Sequence, residues 1–303
     1  MKILKNCPLC KKIQKKFIKV APFVYGDKSK KKSFYYCQGC DVRFLFPRLN
    51  DKEEKYFYKK EFEGFMDKRA GKNSGWLKAV DHIKNNKETY LRRLKYIKPY
   101  LKSKKNILEI GCSSGFMLFP FIKDGHRCTG VEPSGVFNNF LKEKKIDVYS
   151  SLNEVKKKKK EKYDLIINFF VLEHIANPIS FLKNLLSMLK KNGKIIFEIP
   201  NVADPLHSMY DIPAFEKFYW SIAHHWYFSF DSLAYVLKKL NHPYKILLDQ
   251  RYDLSNHLYW SKHHKPGGMG KYSRYIGKKV ENNYKKILLK AGLCDTLIGV
   301  ISK

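Results

Sequence analysis

The chain has 303 residues, of which 44% are hydrophobic, so it is long enough to bury a substantial core. It contains no apolar run of roughly 18 residues, the length needed for a membrane span. The first residues, Met1 to Cys7, also lack the apolar segment of a secretory signal. These features predict a cytoplasmic protein without a membrane span.

The net charge is +32, from 60 basic and 28 acidic residues. A charge of this size often indicates binding to nucleic acid or to another anionic surface. However, lysine greatly outnumbers arginine, and asparagine and isoleucine are also plentiful, which is the composition that an AT-rich genome produces. The lysine run Lys156–Lys160 lies between predicted elements and is expected to be solvated loop. Nucleic acid is therefore the less favoured partner, and an acidic small molecule would also benefit from the positive field.

Two Cys-x-x-Cys pairs lie near the N-terminus, formed by Cys7, Cys10, Cys37 and Cys40. This spacing is typical of a zinc ribbon, in which two knuckles present four thiolates tetrahedrally. Four thiolates close the coordination sphere, so the predicted zinc is structural rather than catalytic. Disulfides or redox pairs are less favoured because the cytosol is reducing. We predict a zinc-ribbon domain over residues 1–50 that depends on the metal for much of its folding free energy.

Residues 51–80 are charged and aromatic, and they are predicted to form a helical linker. From Asp81 to Leu101 apolar residues recur at helical spacing, which predicts a helix that covers the sheet before its first strand. The main domain is predicted to span residues 81–303. Three further cysteines are expected to be small core residues: Cys112, Cys128 and Cys294.

The stretch from Asn106 to Ser134 predicts a strand, a tight loop, a helix and a second strand. Gly111 and Gly115 bracket the loop, where they allow positive φ angles and the close approach of a ligand. The free N–H groups at the start of the helix would face that ligand. Glu132 ends the second strand, where a carboxylate can accept two hydrogen bonds from a ribose diol.

This loop differs from the dinucleotide-binding fingerprint, which has three glycines spaced G-x-G-x-x-G. Ser113 occupies the position of the middle glycine, and Glu109 before the loop would repel a phosphate. An acidic residue at that position suits a ligand with a cationic or zwitterionic part.

A further buried strand is predicted over Tyr163–Phe170, and Val171–His174 leaves its carboxyl end. Open parallel sheets bind ligands beyond the carboxyl ends of their strands, so Asn168 and the residues after it are expected beside the ligand. A turn and a fifth strand are predicted over Asn192–Pro200.

Two insertions, at about residues 201–230 and 253–290, are predicted to lie over the active face. The first is aromatic and contains the run Phe218-Tyr219-Trp220. A sixth strand is predicted to begin at Lys245, and a last strand, over Leu297–Ile301, is predicted to be antiparallel to its neighbours.

Together these motifs resemble those of class I S-adenosylmethionine-dependent methyltransferases over roughly Asp81 to Lys303. The resemblance implies an α/β fold, with a Rossmann-like seven-stranded sheet and helices on both faces, preceded by the small zinc ribbon. The four-cysteine unit is similar to that of a bacterial subgroup associated with the modification of sugars, surface glycans and natural products.

In that family the glycine loop wraps the methionine part of the cofactor, the acid after the second strand holds the ribose, and residues after the third strand touch the adenine. The resemblance thereby implies that S-adenosylmethionine contacts Glu109, Gly111, Cys112, Ser113, Ser114, Gly115, Glu132, Pro133, Ser151, Leu152, Asn168 and Phe169.

The segment Leu172–His174 also resembles ubiquinone-pathway O-methyltransferases. In those proteins a glutamate three residues before the one in this segment helps to bind a divalent cation. Phe170 occupies that position here. Magnesium is therefore not expected.

Methyl transfer is an in-line displacement with a neutral leaving group, so the protein mainly aligns the acceptor atom with the methyl group. An alcohol acceptor gains from a general base, which is most often histidine. The candidates are His174, His224 and His225, while Asn256 and His257 are weaker candidates for substrate contact.

We expect O-methylation of a hydroxyl on a sugar, nucleotide-sugar or glycan precursor. The alternatives are a tRNA or rRNA methyltransferase that uses the zinc ribbon and the basic surface, a sugar C-methyltransferase, and a binding module that has lost the chemistry.

Overall fold

The computed structural model describes residues 4–70 and 76–303. Within these residues eleven strands form two sheets. The strands are β1 (Ile18–Ala21), β2 (Ser33–Cys37), β3 (Val42–Phe46), β4 (Asn106–Ile110), β5 (Arg127–Val131), β6 (Asp147–Tyr149), β7 (Tyr163–Phe169), β8 (Leu189–Pro200), β9 (Trp226–Tyr227), β10 (Tyr244–Asp249) and β11 (Thr296–Ser302).

The larger sheet has seven strands in the order β6-β5-β4-β7-β8-β11-β10. All neighbouring pairs from β6 to β8 are parallel, whereas β11 is antiparallel to both β8 and β10. The predicted seven-stranded sheet and the predicted antiparallel last strand are therefore confirmed. Strands β4 and β7 lie side by side at the centre, with Ile110 opposite Asn168.

Fourteen α-helices occur in the described residues. They are α1 (Asp51–Tyr56), α2 (Phe62–Ala70), α3 (Ala79–Asn85), α4 (Lys87–Ile97), α5 (Leu118–Lys123), α6 (Gly135–Glu143), α7 (Leu152–Lys158), α8 (Pro178–Met188), α9 (Pro205–Ser208), α10 (Pro213–Tyr219), α11 (Phe230–Lys238), α12 (Leu254–His263), α13 (Ser273–Ile276) and α14 (Lys278–Ala291). A π-helical turn, Phe57–Glu61, joins α1 to α2, and 3-10 turns occupy Lys98–Tyr100 and Leu172–His174.

Successive side chains of β4 and β7 point to opposite faces of the larger sheet, and nearly all of them are buried, so both faces are covered. On one face Ile107 packs in a cluster with Ile97 of α4 and Phe121 of α5. On the other face Leu108 packs in a cluster with Leu182 of α8. Helices therefore cover both faces, as predicted.

Two predicted segments differ in detail from the structure. The helix expected over residues 81–101 is two helices, α3 and α4, separated at Asn86. The lysine run at 156–160 is only partly loop, because α7 continues to Lys158. Residues 51–70 of the expected linker are helical, and residues 71–75 lie outside the described part of the chain.

The smaller sheet, in the order β1-β2-β3-β9, joins the N-terminal unit to the first insertion. Phe44 of β3 is paired with Trp226 of β9 in an antiparallel register. The ring of Phe34 lies 5.1 Å from the rings of both Trp220 and Tyr227. The N-terminal unit thus shares a core with residues of the insertion, although the domain limits at 50 and 80 stay a prediction.

Among the residues that the structure describes, no helix is both long and apolar enough to cross a membrane.

Candidate active site

The loop after β4 depends on two glycines. Gly111 has a φ of +72°, and a Cβ there would lie 2.7 Å from Cγ2 of Val171. Gly115 has a φ of +78°, and a Cβ there would lie 2.6 Å from Cδ2 of Leu141. A side chain at either position would therefore be strained by both its backbone and its neighbours.

Two buried side chains near the carboxyl ends of β4 and β7 have polar atoms without a hydrogen-bond partner among the described residues. Glu109 is 2% exposed, and its Oε2 has no hydrogen-bond partner among the described residues. Asn168 is fully buried, and neither atom of its amide has a partner there. Burial raises the pKa of Glu109 well above its ordinary value, against the opposing effect of Arg93. Since each unsatisfied buried group costs about 1–3 kcal/mol, this position suits a polar ligand.

Glu132, at the end of β5, accepts hydrogen bonds from two loops. Its Oε2 accepts a hydrogen bond from the backbone N–H of Ser113 at 2.6 Å, and its Oε1 accepts one from Ser134 at 2.9 Å. Burial raises the pKa of Glu132 to about 7. A carboxylate oxygen has two lone pairs, so each oxygen retains capacity for a ligand hydroxyl. The sequence predicted the ligand contact but gave no sign of the loop contacts.

Helices α2 and α3, which precede the first strand of the larger sheet, contact this loop and the start of α6. Glu63 of α2 accepts a hydrogen bond from Oγ of Ser134 at 2.5 Å. Nδ1 of His82 on α3 lies 2.8 Å from Oγ of Ser114, so the Ser114 side chain faces the helix. Sequence reasoning missed Glu63 and His82, because nothing in their spacing relates them to a loop that follows much later in the chain.

The remaining predicted cofactor residues occupy varied positions. Cys112 is buried, and its Sγ lies where a Cβ on Gly130 would clash, so the loop after β4 packs closely against β5 there. Pro133 is exposed, and Phe169 lies under the guanidinium of Arg93 at 4.2 Å. Oγ of Ser151 caps α7, and the neighbouring Leu152 is half-buried. Their contacts with a cofactor stay predictions.

His174 is held in one tautomer by two neighbours. Its Nδ1 lies 2.7 Å from the carbonyl oxygen of Ala223 and 3.0 Å from the hydroxyl of Tyr58. The Tyr58 hydroxyl itself donates to the same carbonyl at 3.1 Å. A carbonyl can only accept, so Nδ1 carries the proton and Nε2 keeps its lone pair. Tyr58, on the π-helical turn, is a further residue that sequence reasoning missed.

Nε2 of His174 faces the carboxyl group of Glu173, with Oε1 at 3.9 Å. Glu173 is 1% exposed, and neither of its oxygens has a hydrogen-bond partner within the described residues. The ring of His224 lies 4.7 Å from that of His174 in an edge contact. One donor atom from each of Glu173, His174 and His224 lies within 4.8 Å of the others. The structure therefore brings two of the three predicted histidines together and adds a carboxyl group.

Burial sets the proton affinities of this cluster. It lowers the pKa of His174 to about 4 and that of His224 well below its ordinary value. The same desolvation raises the pKa of Glu173 to about 8. At neutral pH both imidazoles are therefore unprotonated at one nitrogen and carry no charge.

The other predicted polar residues have different surroundings. Nε2 of His225 lies 3.1 Å from Oε1 of Glu54 on α1, which turns this side chain towards the N-terminal helices. His257 and Asn256 are buried on α12, and Nδ1 of His257 contacts the hydroxyl of Tyr284. Nε2 of His257 and Nδ2 of Asn256 have no partner among the described residues.

The four N-terminal cysteines form a compact sulfur cluster in which all ligand atoms lie within 4.8 Å of one another. The sulfurs of Cys7 and Cys40 are 3.8 Å apart, and those of Cys10 and Cys37 are 3.7 Å apart. Four thiolates around a tetrahedral zinc at about 2.3 Å would be separated by about 3.8 Å. Nε2 of Gln14 also donates to the sulfur of Cys37 at 3.2 Å. The donor set therefore fits the predicted structural zinc.

The family model described as a methyltransferase domain matches residues 82–242, just over half of the chain. The chain is 28% identical over 116 residues to a ubiquinone biosynthesis O-methyltransferase of Coxiella burnetii, a match that covers 36% of this chain and 50% of the relative. It is 31% identical over 113 residues to a tRNA U34 carboxymethyltransferase of Nautilia profundicola, covering 34% of this chain and 37% of that protein. The chain thus spans about half or less of the length of these curated relatives.

The solved structures to which this chain is similar include a SAM-dependent methyltransferase from Archaeoglobus fulgidus. The TM-score is 0.49 and the sequence identity is 20%. The match covers 74% of this chain and 97% of that chain. Another is a plantazolicin methyltransferase in complex with SAH, with a TM-score of 0.47 and 17% identity over 80% of this chain and 98% of that chain.

Proposed function

Because the chain belongs to the methyltransferase-domain family, we propose that it uses S-adenosylmethionine to methylate a hydroxyl group on a small, anionic acceptor such as a phosphorylated or nucleotide-linked sugar. Two observations together carry the proposal. Glu109 and Asn168 have unsatisfied polar atoms near the strand ends, and His174 is a neutral histidine held in one orientation.

The methionine part of the cofactor fits the unsatisfied groups at the centre of the sheet. A cationic ammonium would satisfy the buried carboxyl of Glu109, and a carboxylate would satisfy the amide of Asn168. The ribose diol would donate to the remaining lone pairs of Glu132. S-Adenosylmethionine supplies a methyl group on a sulfonium centre, and the chain supplies the alignment.

The proton of the acceptor hydroxyl would pass to Nε2 of His174. The acceptor oxygen would release its proton to this nitrogen as it bonds to the methyl group that the cofactor would supply, with the neutral thioether as leaving group. The hydrogen bonds from Tyr58 and His174 to Ala223 keep Nε2 available. We assign His224 to the same proton-accepting cluster, and His225 to its support through Glu54.

The acceptor class is supported by charge near this cluster. The guanidinium of Arg251 lies 4.4 Å from the ring of Phe170, directly after β7, and its side chain is 26% exposed. Its Nε is paired with Asp295 at 3.3 Å, which orients the guanidinium. An oriented arginine whose side chain is partly exposed suits a phosphate or carboxylate. The Coxiella burnetii relative is an O-methyltransferase, which agrees with the oxygen acceptor proposed here.

The test is a transfer assay with cofactor labelled in its methyl group, in which the full-length chain is given nucleotide-sugars, sugar phosphates and total RNA. We expect label on a hydroxyl of a small anionic acceptor. His174→Gln should lower turnover by about 10²–10⁴-fold while cofactor affinity is kept, because the base contacts the acceptor.

His263→Gln is the matched control, since that histidine is exposed and bonds to Tyr272 on the second insertion. Label that appears only in RNA, or on nitrogen or carbon, would overturn the acceptor assignment. Unchanged turnover in His174→Gln would overturn the assignment of the base.

A further inference from the structure

The segment Lys11–Phe23 of the N-terminal unit exposes large apolar side chains among lysines. Ile13 is 81% exposed, Ile18 49% and Phe23 64%. Five lysines in the same segment are also exposed, namely Lys11, Lys12, Lys15, Lys16 and Lys19. Single exposed apolar residues are common on proteins, but this segment exposes three within eleven positions whose only charged residues are lysines, so it combines apolar and cationic side chains at the surface.

The charge of this unit is not a simple consequence of a lysine-rich composition. Residues 1–50 contain 13 basic and only 2 acidic residues, whereas the rest of the chain contains 47 basic and 26 acidic ones. Both acids are paired within the unit: Asp27 with Lys32 at 3.7 Å, and Asp41 with Arg43 at 3.0 Å. The unit therefore carries a net charge of +11 with no acidic side chain left to offset the segment.

The kind of partner follows from which cations are exposed. Arg43 is engaged by Asp41 and stacks on Tyr36 at 4.5 Å. Arg48 donates to the carbonyl oxygen of Ala176 at 3.1 Å and lies 4.0 Å from the ring of Trp226. Neither arginine is thus available for the bidentate phosphate and base contacts that nucleic acid readout favours.

Lysines and aliphatic side chains together suit a different partner. Of the three exposed apolar side chains, Ile13 and Ile18 are aliphatic and cannot stack on bases as aromatic residues do, while the ring of Phe23 has Nζ of Lys217 5.8 Å from its centroid. At a lipid surface, in contrast, lysines are attracted by anionic headgroups while exposed apolar side chains enter the boundary with the acyl chains. β1, which carries Ile18, is an edge strand of its sheet, so no other described strand covers that side.

We propose that the Lys11–Phe23 segment docks the protein on an anionic phospholipid surface as a peripheral contact. This proposal goes beyond the transfer reaction and does not depend on the identity of the acceptor.

The experiment is co-sedimentation of the full-length, zinc-containing protein with vesicles of phosphatidylcholine alone and of phosphatidylcholine mixed with phosphatidylglycerol. Binding is expected only to the anionic vesicles and should fall as salt is raised. A variant with Lys12, Lys15, Lys16 and Lys19 each changed to Gln should bind two to three orders of magnitude more weakly, since each lysine near such a surface contributes about fivefold.

Two further variants separate local docking from net charge. Changing Lys156, Lys157, Lys158 and Lys160 to Gln removes the same charge from exposed positions on and after α7, and should lower binding far less. Ile13→Ser with Ile18→Ser should weaken binding by about tenfold with an unchanged salt dependence. Zinc content and the thermal unfolding midpoint equal to wild type establish that each variant is folded.

Three results would overturn the proposal. The first is no binding of the wild-type protein to anionic vesicles. The second is an equal loss in the two lysine variants, which would make net charge the only cause. The third is tight binding of an RNA oligonucleotide through the same lysines without any binding to vesicles.

Discussion

The hydroxyl of Tyr58 and Nδ1 of His174 lie 3.0 Å apart, although the two residues are separated by 116 positions in the chain. Tyr58 belongs to the π-helical turn between α1 and α2, and such turns are frequent at functional sites. The contact means that the N-terminal helical segment reaches the proposed catalytic histidine as well as the loop after β4.

Tyr58→Phe should lower turnover without changing cofactor affinity. The variant loses one hydrogen bond that orients His174, worth about 1 kcal/mol or roughly fivefold in rate. The ¹⁵N chemical shifts of the His174 ring should also change, because the tautomer is then held by the Ala223 carbonyl alone. Tyr56→Phe is the control, since Tyr56 is 60% exposed on α1. Identical ¹⁵N shifts in wild type and Tyr58→Phe would remove the positioning role.

The purified chain should contain about one zinc per molecule, bound by the four N-terminal cysteines. Cys37→Ser should lose that zinc and lower the unfolding temperature, because the cysteines belong to a buried cluster that the N-terminal unit shares with the larger sheet and the first insertion. Cys128→Ser, remote from the cluster on β5, should keep the metal. Elemental analysis of the three proteins decides the assignment, and full metal content in Cys37→Ser would contradict it.

Glu132→Ala should weaken S-adenosylmethionine binding by about 1–3 kcal/mol, the cost of a lost hydrogen bond to a charged group. Part of that loss would come from the loop, since Glu132 also accepts from the backbone of Ser113 and Ser134. Calorimetry should show little change for Glu143→Ala, whose side chain is exposed at the end of α6. Equal affinities in Glu132→Ala and wild type would exclude Glu132 from the cofactor site.

Stability should depend on pH through Glu173. Burial raises the pKa of its carboxyl group from the ordinary 4.5 to about 8, so the folded protein binds this proton more tightly than the unfolded chain does. Its contribution to the free energy of unfolding is therefore fully present below about pH 4.5 and is lost as the pH rises to about 8.

Glu173→Gln has no carboxyl proton to lose. As the pH is raised through this window, the free energy of unfolding of this variant should therefore rise relative to that of wild type. Urea unfolding at several pH values between 4.5 and 8 measures the difference, with Glu143→Gln as the exposed control. A difference that does not vary with pH would show that Glu173 titrates normally.

The sequence alone determined the sheet and the residues at its carboxyl ends. Buried parallel strands are continuous apolar runs, and glycines and acids at their ends are spaced by the βαβ repeat, so β4, β5 and β7 and the loop at Gly111 were readable from local pattern. The four cysteines were equally readable, because a metal site constrains spacing along the chain.

Tertiary structure decided which side chains meet beside those strand ends. Tyr58, Glu63 and His82 act on residues that lie far along the chain, and no period or spacing connects them. The proton affinities were also undetermined, since the opposite pKa shifts of Glu173 and His174 come from burial, which a sequence does not state. Local pattern fixes elements because backbone hydrogen bonding is short-range, whereas the site depends on contacts between elements that form only when the chain is packed.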